Sequence, residues 1–135
     1  MRKSLQIALL TTDLGFLVYW SLSALVQAGV IHVSPSWMYA HYEEPSVIAW
    51  NWSFLPLDLV FSLTGLAAVT AARRGSRLWR PLALLSLAFT MAAGGMAVAY
   101  WTLLHEFEPA WFLPNLALML WPLAFLRSFL SENRA

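Results

Sequence analysis

The placement of charge constrains this chain more than any other feature. Every Lys and Arg falls in one of three short segments: Arg2 and Lys3, then Arg73, Arg74, Arg77 and Arg80, then Arg127 and Arg134. Long apolar stretches separate these from two loops that carry Glu43, Glu44, Glu106 and Glu108 and no basic residue. An alternation of basic and acidic connections between apolar runs is the positive-inside pattern. It predicts an all-α polytopic membrane protein, an antiparallel bundle of four transmembrane helices with both termini in the cytoplasm. The expected location is the plasma membrane, the inner one where a cell has two.

Composition agrees. The 135 residues are 60% hydrophobic and 11% charged, whereas a soluble domain carries about a quarter charged residues. Lipid is therefore expected to cover most of the surface. No basic tail or interleaved basic and aromatic stretch suggests nucleic acid as a partner. Cysteine is absent, which removes disulfides, thiolate chemistry and iron–sulfur ligation. Arg2 and Lys3 followed by an apolar run resemble a secretory signal. The run to Ile31 is longer than the roughly 7–15 residues of a signal core and contains Asp13, so an uncleaved first helix is expected.

One transmembrane domain over residues 1–135 is predicted, with helices at about 5–31, 46–72, 81–104 and 110–130, each long enough for the ~20 residues a bilayer requires. Pro45, Pro81 and Pro109 suit first helical turns, where a missing N–H costs nothing. The loop from His32 to Glu44 is polar and aromatic and is expected to lie along the membrane interface. Ser86, Thr90 and Gly94, four apart among alanines, predict a face on which helix backbones approach closely, within the bundle rather than between two copies. Many of the Trp and Tyr residues, Trp37, Tyr39, Tyr42, Trp50, Trp52, Tyr100, Trp101 and Trp111 among them, fall near the acidic side. They suit a headgroup belt or an aromatic-lined cavity.

Asp13 and Asp58 lie inside apolar stretches, where a carboxylate is expensive and normally faces the bundle interior. No buried Lys or Arg is at hand for either. Each must be protonated, hydrogen-bonded, hydrated or paired with a ligand cation. Helical rise sets Asp13 about 12 Å and Asp58 about 21 Å above the basic side, roughly 9 Å apart in depth. A close carboxylate pair is not expected. Asn51 lies two turns from Asp58 on its face, and Asn115, Tyr19 and Trp20 reach a similar depth by the same count. Pro56 and Pro122 free the carbonyls of Trp52 and Leu118, which seek internal donors. Three readings of this polar set are open: a hydrogen-bond network fixing helix register, a small-molecule pocket, and a proton or ion path.

His32, His41 and His105 accompany the four glutamates on the acidic side. Imidazole and carboxylate can bind zinc, copper or iron, but the spacing fits no helical metal site, and solvated interfacial residues are the better reading. No nucleophile–base arrangement and no phosphate loop is found. No catalytic residue and no cofactor is expected.

The segment Trp50-Asn51-Trp52-Ser53-Phe54-Leu55-Pro56-Leu57-Asp58-Leu59, followed by Thr64-Gly65-Leu66, resembles the signature of the YvaD-like proteins, small bacterial membrane proteins. Thr12-Asp13-Leu14-Gly15-Phe16 with Tyr19-Trp20, and Trp111-Phe112-Leu113-Pro114-Asn115, are similar to further recurring segments. The resemblance implies a four-helix membrane architecture over nearly the whole chain and no particular activity.

The leading expectation is a protein without classical catalysis that binds a small amphipathic or lipid-like molecule between its helices, in the outer half. Asp58 anchors a polar or cationic group, Asn51 and Asn115 orient it, Tyr19, Trp20 and Trp101 form walls, and Asp13 supplies a second polar site. The alternatives are an accessory subunit of a larger membrane complex, a homodimer among its forms, and a proton-coupled transporter using both aspartates.

Overall fold

In the computed structural model, residues 1–131 are described; Arg134, the last member of the basic set, lies outside them. Six α-helices build four long segments: α1 (Lys3–Gln27), α2 (Pro45–Ser53) running into α3 (Leu55–Arg73), α4 (Trp79–Leu103), and α5 (Pro109–Leu120) running into α6 (Leu123–Ser131). Among the described residues there is no strand. The four segments Lys3–Gln27, Pro45–Arg73, Trp79–Leu103 and Pro109–Phe129 are long and apolar enough to cross a membrane. Ile7, Leu14, Val18, Val60, Leu63, Met96 and Leu113 are exposed along them, and apolar surface on that scale calls for a cover.

Helix ends differ from the sequence expectation, for local reasons. α1 stops at Gln27 rather than Ile31 because Gly29 turns left-handed (φ 70°). The N–H of Val30 then reaches back to Leu25 O at 2.9 Å and that of Gly29 to Val26 O at 3.0 Å, the paired bonds of a Schellman stop. Gly75 ends α3 in the same way, with Ser76 N–H on Ala71 O at 2.9 Å. α4 begins at Trp79, two residues before Pro81, which still falls in the first turn, where N–H groups have no intrahelical partner. The predicted second helix is broken at Phe54: Pro56 cannot donate to the carbonyl of Trp52, and the ladder resumes with Asp58 N–H on Phe54 O at 2.8 Å. Pro122 likewise separates α5 from α6.

α1 packs on α3, α3 on α4, and α4 on α5, with lesser contacts of α2 with α3 and of α6 with α4 and α5. Glycines permit two of these approaches. A Cβ on Gly94 would come within 2.6 Å of the backbone at Asn115 and Met119, and one on Gly65 would collide with the Asp13 carboxylate. The predicted small-residue face of α4 is buried, Ser86, Thr90 and Gly94 included, and serves packing inside the bundle. At the basic end, Leu5, Leu9, Ala68, Val69, Ala83, Leu87 and Phe129 form one core, and Arg80 lies over the rings of Trp79 and Phe129. The bundle is less closed than a symmetric four-helix arrangement. α1 and α5 are not packed together as the neighbouring pairs are; both line a cavity between them.

Candidate ligand cavity between α1 and α5

Helical spacing aims the walls of this cavity. Thr12, Gly15, Phe16 and Tyr19 recur every three or four residues and line one side from α1. Trp111, Pro114, Asn115, Leu118 and Trp121 do so from α5 and its junction with α6. Trp50, Phe54 and Asp58, four apart across the α2–α3 break, form the back with Ala93, Ala97 and Trp101 of α4. The cavity volume is about 490 Å³, within the usual range of roughly 300–1,000 Å³ for small-molecule sites. Nine lining residues are aromatic (Phe16, Tyr19, Trp20, Tyr39, Trp50, Phe54, Trp101, Trp111 and Trp121) and Asp58 is the only acid; no Lys, Arg or His is among them. The wall is thus apolar, with its charge at one point.

Of the sequence-predicted residues, Tyr19, Trp20, Asn51, Asp58, Trp101 and Asn115 all line this cavity. Asp58 is 3% exposed; its Oδ2 accepts from Trp20 Nε1 at 2.9 Å, and its Oδ1 has no hydrogen-bond partner among the described residues. Tyr19 donates its hydroxyl to Asn51 Oδ1 at 3.2 Å, tying α1 to α2 one level above. Asn115 donates Nδ2 to Trp111 O at 2.7 Å on its own helix. Trp101 stands edge-on to Trp50, with centroids 5.4 Å apart.

Asp13 is elsewhere. It is fully buried between α1, α3 and α4, beside Gly65 and Ser86, and is absent from the cavity lining. Among the described residues, neither of its oxygens has a hydrogen-bond partner, nor do the buried hydroxyls of Ser62 and Ser86. Seven residues of α1, about 10 Å of helical rise, separate Asp13 from Trp20 and so from the level of Asp58. The two aspartates occupy different environments: Asp58 lines the cavity and Asp13 does not.

The loop at the acidic end does more than lie along an interface. Trp37 is exposed, but Tyr39 is 7% exposed and packs with Val47 and Trp101. Its ring meets Trp111 edge-on at 5.7 Å, so it roofs the cavity; burial pushes its phenol above the ordinary tyrosine value. His41, in the left-handed region at φ 56°, lies 3.1 Å from Glu106 and 3.3 Å from Glu44. The bond to Glu106, ahead of the other effects, holds its imidazole pKa above the usual value. His105 takes the same left-handed conformation at the end of α4. Among the described residues, no group of three or more His, Cys, Asp or Glu is arranged to hold a metal ion.

Sequence reasoning counted Trp50 and Trp111 among aromatics that suit a headgroup belt or an aromatic-lined cavity without assigning them to the ligand site, and it did not find Trp121. The signal was present in the spacing of four from Trp50 to Phe54 to Asp58, and in the spacing of three and four from Trp111 through Asn115 and Leu118 to Trp121. Trp121 Nε1 is buried without a partner, a second polar point in the wall. Pro114, inside α5, also cannot donate to the carbonyl of Ala110, which lines the cavity.

Four candidate membrane-spanning helices around an aromatic cavity with one acidic point define a class of small helical membrane protein. The model of a family described only as of unknown function, DUF5360, matches residues 5–135. The chain is 38% identical to the uncharacterised protein YvaD of Bacillus subtilis (strain 168), over 132 residues that cover 98% of this chain and 96% of that one. The chain belongs to this family. No solved structure matches it.

Proposed function

We propose that this protein is a multi-pass protein of the plasma (inner) membrane, with both termini cytoplasmic, that binds a small amphipathic or lipid-like molecule in the cavity between α1 and α5. The charge asymmetry of the connections supports the orientation; with it, the cavity lies in the outer half of the membrane. The observation that carries the binding reading is Asp58: nearly buried, with one oxygen lacking a partner, in the wall of an otherwise aromatic cavity of about 490 Å³. A buried polar atom without a partner costs free energy, and a ligand donor would offset it. Asn51 and Asn115 would orient the head, and Trp121 Nε1 is free to meet an acceptor further along the molecule. Asp13 has no part in this site; its surroundings are packing.

Gly15 provides the test. It lines the cavity, and a side chain there would meet nothing within 4 Å of its Cβ. Gly15→Leu is therefore expected to put side-chain volume into the cavity from a position with room for its Cβ, and it gains helix propensity. The thermal unfolding of purified wild type in mild detergent is expected to rise on adding a membrane lipid extract, because a ligand that binds the folded state stabilises it. Gly15→Leu should fold as well and show no such rise. An equal response in both proteins places the binding elsewhere. No response in wild type favours the accessory-subunit reading, whether with a larger complex or as a homodimer, for which co-purification from the membrane is the next measurement. Proton-coupled transport predicts a response to a pH gradient in vesicles that both Asp13→Asn and Asp58→Asn abolish.

A further inference from the structure

We propose that the cavity is selective for organic cations: the head group that meets Asp58 is a substituted ammonium carried on an apolar tail. The proposal rests on the ligand-binding reading above and specifies its chemistry.

Charge arithmetic comes first. Among the described residues, Asp58 is the only acid in the lining, and no Lys, Arg or His lines it. An ionised Asp58 gives the empty cavity one negative charge, which a monocation neutralises. An anionic head would set two like charges together away from water, where their repulsion is least screened. The carboxylate is also already oriented for such a partner. Trp20 holds Oδ2 at 2.9 Å and leaves Oδ1 unpartnered.

The walls supply the rest. Trp20, Trp50, Trp101, Trp111 and Tyr19 are electron-rich rings, and a cation over such a face is attracted by the ring quadrupole, most strongly for Trp. They do not stack into a slab. Trp50 and Trp101 meet at 80°, Tyr19 and Trp20 at 73°, Tyr19 and Trp111 at 65°. Such inclined pairs are the ordinary edge-to-face packing of aromatic side chains; the ring faces that this packing leaves open are where an alkylated ammonium would sit. A small hydrated metal ion is the weaker match: it demands several oxygen ligands, and beside the one carboxylate this lining offers neutral oxygens such as those of Thr11, Thr12, Asn51 and Asn115, with Asn51 Oδ1 already accepting from Tyr19. A cation that already carries carbon loses little water on entering. The volume of about 490 Å³ exceeds what a head group alone requires and leaves room for a tail between α1 and α5.

The test compares probes of equal tail length in a neutral maltoside detergent at pH 7: octyldimethylammonium, whose one N–H can reach Asp58 Oδ1, octyl sulfonate and octanol. Octyldimethylammonium is expected to raise the melting temperature of wild type by several degrees and to change its tryptophan emission; octyl sulfonate and octanol should do neither. The rise should vanish in Asp58→Asn and persist in Asp13→Asn. The contrast between probes is read in wild type and stands whether or not Asp58→Asn folds. Equal stabilisation by all three probes, blocked by Gly15→Leu, overturns cation selectivity and leaves the ligand-binding reading intact. Stabilisation by none of them, with no effect of lipid extract either, removes both.

Discussion

Asp13 and Asp58 are the same residue type in two apolar helices, and among the described residues neither has a basic partner, yet the structure treats them in opposite ways. Asp13 is closed in by small residues. Gly65 brings α3 so near that a single added carbon would collide with the carboxylate and come within 2.8 Å of Ser86 Oγ. Asp58 is surrounded by large ones: Trp20 donates to it, Phe54 precedes it by one turn, and Trp50 stacks on Tyr100 at 3.8 Å. Where apolar lipid gives helices little hydrophobic reason to associate, backbones close up on small side chains. Rings of this size hold them apart. The difference between a packed acid and a cavity acid is thus set by the neighbours and not by the acid.

The largest expected effect attacks the packed side. Gly65→Ala should destabilise the protein by about 1–3 kcal/mol or more, as overpacking of a closed interior does, and lower the unfolding temperature in detergent. Asp13→Ala should rescue it, because removing the carboxylate makes the space that the new methyl requires. A Gly65→Ala protein as stable as wild type would mean that α1 and α3 are not closed at this level, and the contrast with Asp58 would collapse. Gly15→Leu, on the cavity side, is the matched opposite: a larger addition at lower cost.

Trp20→Phe breaks the other side more gently. It keeps the ring and removes the donor, leaving both oxygens of Asp58 unpartnered, which should cost about 1–3 kcal/mol. In a double-mutant cycle with Asp58→Leu, the two changes should couple by roughly 0.5 kcal/mol or more, the range for residues in direct contact. Additive effects would show that the 2.9 Å bond contributes nothing to stability and that the carboxylate is held by its surroundings alone.

Much of this contrast was legible in the chain. Hydropathy gave four spans. Helical rise counted from the charged ends brought Asp58 level with Trp20, Tyr19, Asn51 and Asn115, and kept Asp13 away from them. Local stops were legible in principle. Gly29 and Gly75 mark them, but an apolar run that continues past Gly29 hides the first. Depth counting fixes height and not rotation about a helix axis, so it could not separate an Asp13 facing α3 and α4 from one facing the cavity. Nor could it find Tyr39, whose place depends on how an irregular loop folds back over α4 and α5. The gap between α1 and α5 is likewise a property of ring sizes in three dimensions, and no spacing in the sequence encodes it.

A third carboxylate supplies the baseline, and the smallest effect. Glu106 stands in solvent, 42% exposed, 3.1 Å from His41 of the loop that roofs the cavity. His41 is raised above the ordinary imidazole value of 6.5, first through this bond. A raised folded-state pKa means that the protonated form is the stabilised one. Its contribution is therefore complete below the ordinary value and lost as pH rises through the raised one. The melting temperature of wild type should exceed that of Glu106→Gln at about pH 5.5, and the gap should shrink by about pH 8.5. Salt should narrow it as well, since exposed pairs are screened. Because the pair is exposed, the gap should be smaller than the cost of Trp20→Phe. A larger gap would mean that the loop carrying Tyr39 depends on this contact for its docking. The cavity would then respond to pH through its roof, and the division between a packed acid and a cavity acid would extend to a third acid that controls access.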